Sequence, residues 1–140
     1  MERKNILVLC TGNSCRSQIV EGYLRHFAAG KAEVFSAGIE VHGVNPRAIE
    51  TMKEDGIDIS TQTSNGIDEF RNIDFDFVIT VCHNANENCP VFPSSAKKFH
   101  HNFPDPAKAI GSDEEIMHLF RMVRREIKAY CLKFISDNLT

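Results

Sequence analysis

No run of apolar residues in this 140-residue chain approaches the roughly 20 needed to span a membrane. The stretch after the basic first residues, Ile6 to Leu9, is also far shorter than a signal-peptide core. The sequence therefore predicts a cytoplasmic protein with no membrane partner. It lacks a basic excess as well: 16 Lys and Arg face 19 Asp and Glu, for a net charge of −3. A general nucleic-acid binder needs surplus cations to neutralise phosphates, so that class is excluded. Any anion site must be local, made by a loop and one or two placed cations. There are no repeats, low-complexity tracts or linkers, and the length suits one domain over residues 1–140 rather than two.

Cysteine is present in an odd number, five. The cytosol keeps thiols reduced, so these cysteines are expected to do chemistry rather than staple the fold.

Asn5 to Leu9 is almost wholly apolar and runs into Cys10, as a strand buried on both faces does in a parallel sheet. After a polar loop, Ile19, Val20, Tyr23, Leu24, Phe27 and Ala28 mark the inner face of a helix that Gly30 can end. Glu33 to Ala37 is a second strand, closed by Gly38. Asn45-Pro46 opens a second helix, with an N-cap and a proline at the first helical residue, and Gly56 stops it. Residues 57–72 carry no clear period beyond a short helix near Gly66 to Arg71. Phe75 to Val81 is a third strand ending at Cys82, and Lys97 to His101 a weaker fourth. Ser112 with Glu115 forms a capping box for a long last helix. Its core stripe is Ile116, Leu119, Phe120, Val123, Ile127, Cys131 and Phe134.

Alternating strands and helices imply an α/β domain of three layers, a parallel sheet flanked by helices. Ligands bind such sheets at the carboxyl ends of the strands, where the strand order reverses. In a flavodoxin-like order that point lies between the first and third strands, which end at Cys10 and Cys82. Neighbouring strands lie about 4.8 Å apart, which brings this pair within plausible disulfide reach.

Cys10-Thr11-Gly12-Asn13-Ser14-Cys15-Arg16-Ser17 places a nucleophile, five residues, an arginine and a serine between a strand and a helix. The amides of Thr11 to Cys15 can curl around a tetrahedral oxyanion while the helix adds its positive end. Arg16 can hold two oxygens bidentately. The same surroundings favour the Cys10 thiolate at neutral pH. Ser17 can donate to that thiolate and cap the helix.

Cys10 to Ser17 resembles the phosphate loop of the low-molecular-weight protein tyrosine phosphatases, and Asp105-Pro106-Ala107 resembles that fold's general-acid loop. The segment from Val81-Cys82 to Cys89-Pro90 is instead similar to the thioredoxin-coupled arsenate reductases built on the same scaffold. The likeness runs over nearly the whole chain and implies a four-stranded parallel sheet. It also implies a relay. Cys10 attacks arsenate held by the loop and Arg16, while Asp105 protonates the departing oxygen. Cys82 then attacks Cys10, giving an intermediate Cys10–Cys82 disulfide, and Cys89 attacks Cys82 to leave a final Cys82–Cys89 disulfide for thioredoxin to reduce. Phosphate or sulfate would compete for the loop, and a monomer is expected. If Cys82 and Cys89 share a helix, their seven-residue spacing sets them about 10.5 Å apart along its axis. That exceeds disulfide range, so the segment between, with its three asparagines, must unwind on oxidation.

Two rivals remain: a phosphatase acting on phosphotyrosine, and a non-catalytic thiol module binding a soft metal through Cys82, His83 and Cys89. Phosphatases of this fold carry tyrosine after Asp-Pro, where Ala107 stands here. Related reductases carry tryptophan where His101 stands and an acidic residue at Pro104. Cys15 and Cys131 read as structural. His100 and His101 would point to opposite faces of a strand, a poor metal pair. Asn13, Glu21 and Ser36 match residues that bind potassium in some relatives, but those add a carboxylate where this chain has Asn65. Potassium is thus disfavoured, and no cofactor is expected to be obligatory. Arg121, Arg124, Arg125 and Lys128 read as a solvated face.

Overall fold

A computed structural model describes residues 3–81 and 95–139. Four strands, β1 (Lys4–Cys10), β2 (Ala32–Gly38), β3 (Phe77–Thr80) and β4 (Lys97–His100), form one parallel sheet in the order β2-β1-β3-β4. Three helices, α1 (Arg16–Ala28), α2 (Pro46–Glu54) and α3 (Asp113–Asn138), complete the regular structure together with short 3₁₀ helices at Ile67–Phe70 and Pro106–Lys108. Cys82 and Cys89 lie outside the described residues, as do the Cys10–Cys82 and Cys82–Cys89 disulfides and His83.

β1 is an interior strand, and both of its faces are apolar. Ile6, Val8 and Cys10 point into one cluster with Ile19, Tyr23, Leu24, Met52, Phe120 and Ile127 from the three helices. Leu7 and Leu9 point the other way, against Ala37, Phe75 and Val78, with Phe35, Ile67, Phe70 and Ile73 closing that side. Among the described residues the second cover is thus the thinner layer, built by the segment around the first 3₁₀ helix. Edge strand β4 is mostly exposed and carries Lys97 and Lys98, charges that discourage pairing with another chain.

The chain leaves β1 for α1 and β2 on one side, then returns to β3 on the other. The strand order therefore reverses between β1 and β3, and the loop after Cys10 opens at that crevice.

The expected starts hold. Asn45 Oδ1 accepts from the Arg47 amide at 2.8 Å with Pro46 at the first helical residue. Ser112 and Glu115 exchange both capping-box bonds, at 3.1 and 3.2 Å. Three details differ. β3 and β4 are shorter than expected, β3 because its ladder with β1 begins only at the Ile6–Phe77 pair. Leu119 is 39% exposed while Met117 is buried, so the core stripe of α3 runs Met117, Phe120, Val123, Ile127, Cys131 and Phe134. The cationic face of α3 is not simply solvated: Arg121 grips Glu54 with two bonds of 2.9 Å, and Lys128 reaches Asp55 at 3.0 Å.

Candidate active site

Cys10 ends β1 opposite Gly38 of β2, and Arg16 opens α1, so the five residues between them must turn within one crevice. Asn13 makes the turn possible with a positive φ of 47°, a backbone shape asparagine tolerates better than most residues. Its buried amide is the hub of the loop. Nδ2 donates to Ser36 O at 3.1 Å and to Asn65 O at 3.3 Å, while Oδ1 accepts from Ser17 Oγ at 2.8 Å and Gln18 Nε2 at 3.1 Å. Ser64 Oγ donates to Asn13 O at 2.8 Å. Ser17 thus braces the loop from the first turn of α1. The N-cap residue is Cys15, and it makes no side-chain capping bond.

Arg16 is only 3% exposed. Its Nη1 donates to Phe103 O at 3.4 Å and its Nη2 meets Asp105 Oδ2 at 3.5 Å. Asp105 is itself set by the turn it starts, since Oδ1 accepts from the Ala107 amide at 3.0 Å. Residues 89 apart in sequence are therefore joined across one cleft. That cleft measures about 440 Å³ and is lined by Cys10, Thr11, Gly12, Ser14, Cys15 and Arg16 on one side. Asp105, Ala107, Lys108 and His42 line the rest. Thr11 Oγ1 is buried without a hydrogen-bond partner among the described residues. The arrangement can bind a compact anion, attack it with a thiol, and present a carboxyl group to the departing atom.

The ladder continues past β3 to Val81, whose amide donates to Leu9 O at 3.0 Å beside the end of β1. Burial pushes the Cys15 and Cys131 thiols far up, with the charge of Asp105 adding to the effect at Cys15, and both stay protonated. They are structural thiols.

The expected potassium ligands are already engaged with one another. Glu21 is buried, which raises its pKa, while a hydrogen bond from Ser36 and the guanidinium of Arg25 act in the opposite direction. Arg25 Nη2 sits 2.9 Å from Glu21 Oε2. Asn13 Oδ1 has two donors, and Asn65 presents Nδ2 to Ser36 O at 3.5 Å. The positive charge beside Glu21 in this structure is the Arg25 guanidinium. The two histidines are likewise engaged separately. His100 bonds Thr80 and Asn102, and His101 packs between Phe103 and Tyr130 at 4.3 and 4.8 Å. Among the described residues, no cluster of three or more His, Cys, Asp or Glu is arranged to hold a metal.

Two cleft residues, His42 and Lys108, have no motif to announce them. His42 reaches the cleft from the irregular segment after β2, where its amide donates to Gly12 O.

The sequence profile of the low molecular weight phosphotyrosine protein phosphatases matches residues 5–139. An arsenate reductase of Halalkalibacterium halodurans is 52% identical over 127 residues, covering 91% of both chains. A solved arsenate reductase in its phosphate binding state superposes with a TM-score of 0.82 at 35% identity, over 98% of this chain and 99% of the other. Another, in an oxidized state, gives 0.79 at 34% identity over 96% and 98%. Among the described residues no helix is long and apolar enough to cross a membrane.

Proposed function

Since the chain belongs to the low molecular weight phosphotyrosine protein phosphatase family, we propose that its cleft has been turned from phosphate-ester hydrolysis to arsenate reduction. The carrying observation is the convergence of Cys10, Arg16 and Asp105 on one compact anion-sized cleft, in a chain half identical to arsenate reductases.

Arsenate enters the loop and competes with Asp105 for the guanidinium fork of Arg16. This frees the carboxyl group for the departing oxygen. The Cys10 thiolate attacks arsenic, and Asp105 supplies the proton with which that oxygen leaves as water. Cys82 attacks Cys10 Sγ, and the electron pair of the sulfur–arsenic bond passes to arsenic. Arsenic falls from As(V) to As(III), arsenite departs, and a Cys10–Cys82 disulfide remains. The Cys89 thiolate attacks Cys82 and frees Cys10. A thioredoxin dithiol reduces the Cys82–Cys89 bond and is itself oxidised. A phosphoryl group held in the same way has no comparable two-electron reduction, so only the arsenic adduct can continue along the relay.

Phosphate and sulfate compete for the loop, no cofactor is obligatory, and the enzyme works as a cytoplasmic monomer. Weak aryl-phosphate hydrolysis is expected to persist, because nucleophile, arginine and acid are common to both reactions. Ala107 leaves the mouth of the cleft without the aromatic side chain that grips aryl esters.

The test is turnover with arsenate, thioredoxin, thioredoxin reductase and NADPH for the parent and for Cys10→Ser, Cys82→Ser and Cys89→Ser. Each substitution should abolish multiple turnover. Sustained turnover by Cys89→Ser would refute the third step. Phosphatase activity as the sole activity, lost only in Cys10→Ser, would make the chain a phosphatase.

A further inference from the structure

The chain after β2 runs alongside the anion loop: the Glu40 amide donates to Thr11 O at 3.0 Å and the His42 amide to Gly12 O at 3.2 Å. The side chains of Glu40 and His42 meet, with His42 Nε2 2.7 Å from Glu40 Oε2. The opposite edge of the imidazole rests on the loop. A methyl group at Gly12 would come within 2.5 Å of His42 Nδ1 and 3.1 Å of Cε1. The ring therefore fills the side-chain space of Gly12 and lines the cleft with Cys10, Arg16 and Asp105.

This pairing decides where the ring takes up a proton. Glu40 accepts from Nε2–H, so the neutral ring keeps its proton there, and a second proton must add at Nδ1, against the loop. We propose that His42 is a further oxyanion-binding residue, whose imidazolium, oriented by Glu40, adds a titratable charge and an Nδ1–H donor at the rim of the loop. It rests on the reading of Cys10 to Ser17 as an oxyanion loop. Arg16 and the loop amides hold the anion at any pH, and His42 tightens that hold when protonated. Cys10, Cys15, Arg16, Asp105 and Lys108 are the other ionisable groups around the cleft. They are common to a parent and a His42 variant, so the difference between the two isolates His42.

Sulfate is the probe, because it stays a dianion through the neutral range and brings no titration of its own. Its binding is measured by calorimetry near pH 6 and pH 8 in Cys10→Ser chains with and without His42→Gln and Glu40→Gln. The histidine ring resonances are followed through the same range by NMR. Affinity should be about three- to tenfold higher at the lower pH, and bound sulfate should raise the His42 midpoint by roughly half to one pH unit, the two being linked by reciprocity. His42→Gln should abolish its share of the pH ratio, and Glu40→Gln should reduce it. An unmoved His42 midpoint at saturating sulfate, or an unchanged pH ratio in His42→Gln, would overturn the proposal. If His42→Gln fails to fold, the parent titration alone decides. No sulfate binding at either pH would instead sink the oxyanion reading of the loop, and this proposal with it.

Discussion

Gly38 faces Cys10 across the β1–β2 ladder, and a methyl group there would lie 2.6 Å from Thr11 O and 2.9 Å from both Asn13 N and Cys10 O. These are backbone atoms of the anion loop, so alanine cannot be accommodated by a rotating side chain. The loop itself must move. We expect Gly38→Ala to lose about 1–3 kcal/mol of stability, the usual cost of overpacking. The same displacement should weaken sulfate or phosphate binding at least about tenfold, since amides aimed at a bound oxyanion tolerate little misplacement. Urea unfolding and anion titration measure the two effects, and parent-like anion affinity would show that the loop is softer than its contacts suggest. Asn13 poses the same issue from within: its amide makes four hydrogen bonds that hold a left-handed turn. The side chain is a brace that holds the shape of the loop.

At the scale of an element, the relay needs Cys89 to reach Cys82 across seven residues. If the reduced segment is helical, it spans about 10.5 Å along the axis and must unwind before the sulfurs can bond. Amide exchange by mass spectrometry on the reduced and oxidised chains tests this directly. Peptides between the two cysteines should exchange faster once the disulfide has formed. Equal protection in both states would mean that no unwinding accompanies the relay. α3 is the contrasting element, with a capping box at one end and a buried stripe along its length, so its exchange should not change with redox state.

Over the whole molecule, α3 is fastened to the C-terminal end of α2 and to α1 by a polar seam. Lys128 Nζ donates to Asp55 Oδ2 at 3.0 Å, Tyr23 Oη donates to the same oxygen at 2.8 Å, and Arg124 Nη1 donates to Thr51 O at 2.7 Å. Burial of Asp55 works against its charge, yet the hydrogen bonds from Lys128 and Tyr23 and the nearby cations prevail, holding the carboxyl below its ordinary value. A carboxyl depressed on folding stabilises the native state at pH above the unfolded carboxylate range, and that contribution fades as pH falls through the folded value. Asp55→Asn should therefore cost about 1 kcal/mol near neutral pH and progressively less in acid. Urea unfolding of both chains near pH 7 and near pH 3 checks it; a constant difference would place the loss in packing instead.

What the sequence determined on its own was everything carried by near neighbours. The buried run of β1, the caps at Asn45 and Ser112, and the loop from Cys10 to Ser17 are contiguous, and their physics is local. Asp105 was legible only through its resemblance to a known acid loop, because its partner Arg16 stands 89 residues away. Tertiary structure alone decided the rest. Glu21 has a local partner in Arg25, one turn on along α1, but Ser36 reached its carboxylate only when β2 packed against that helix. Arg121 and Lys128 looked solvated until α3 crossed the end of α2. His42 joined the anion cleft because the irregular segment after β2 runs beside the loop, its amide bonded to Gly12 O, a juxtaposition that no local period encodes.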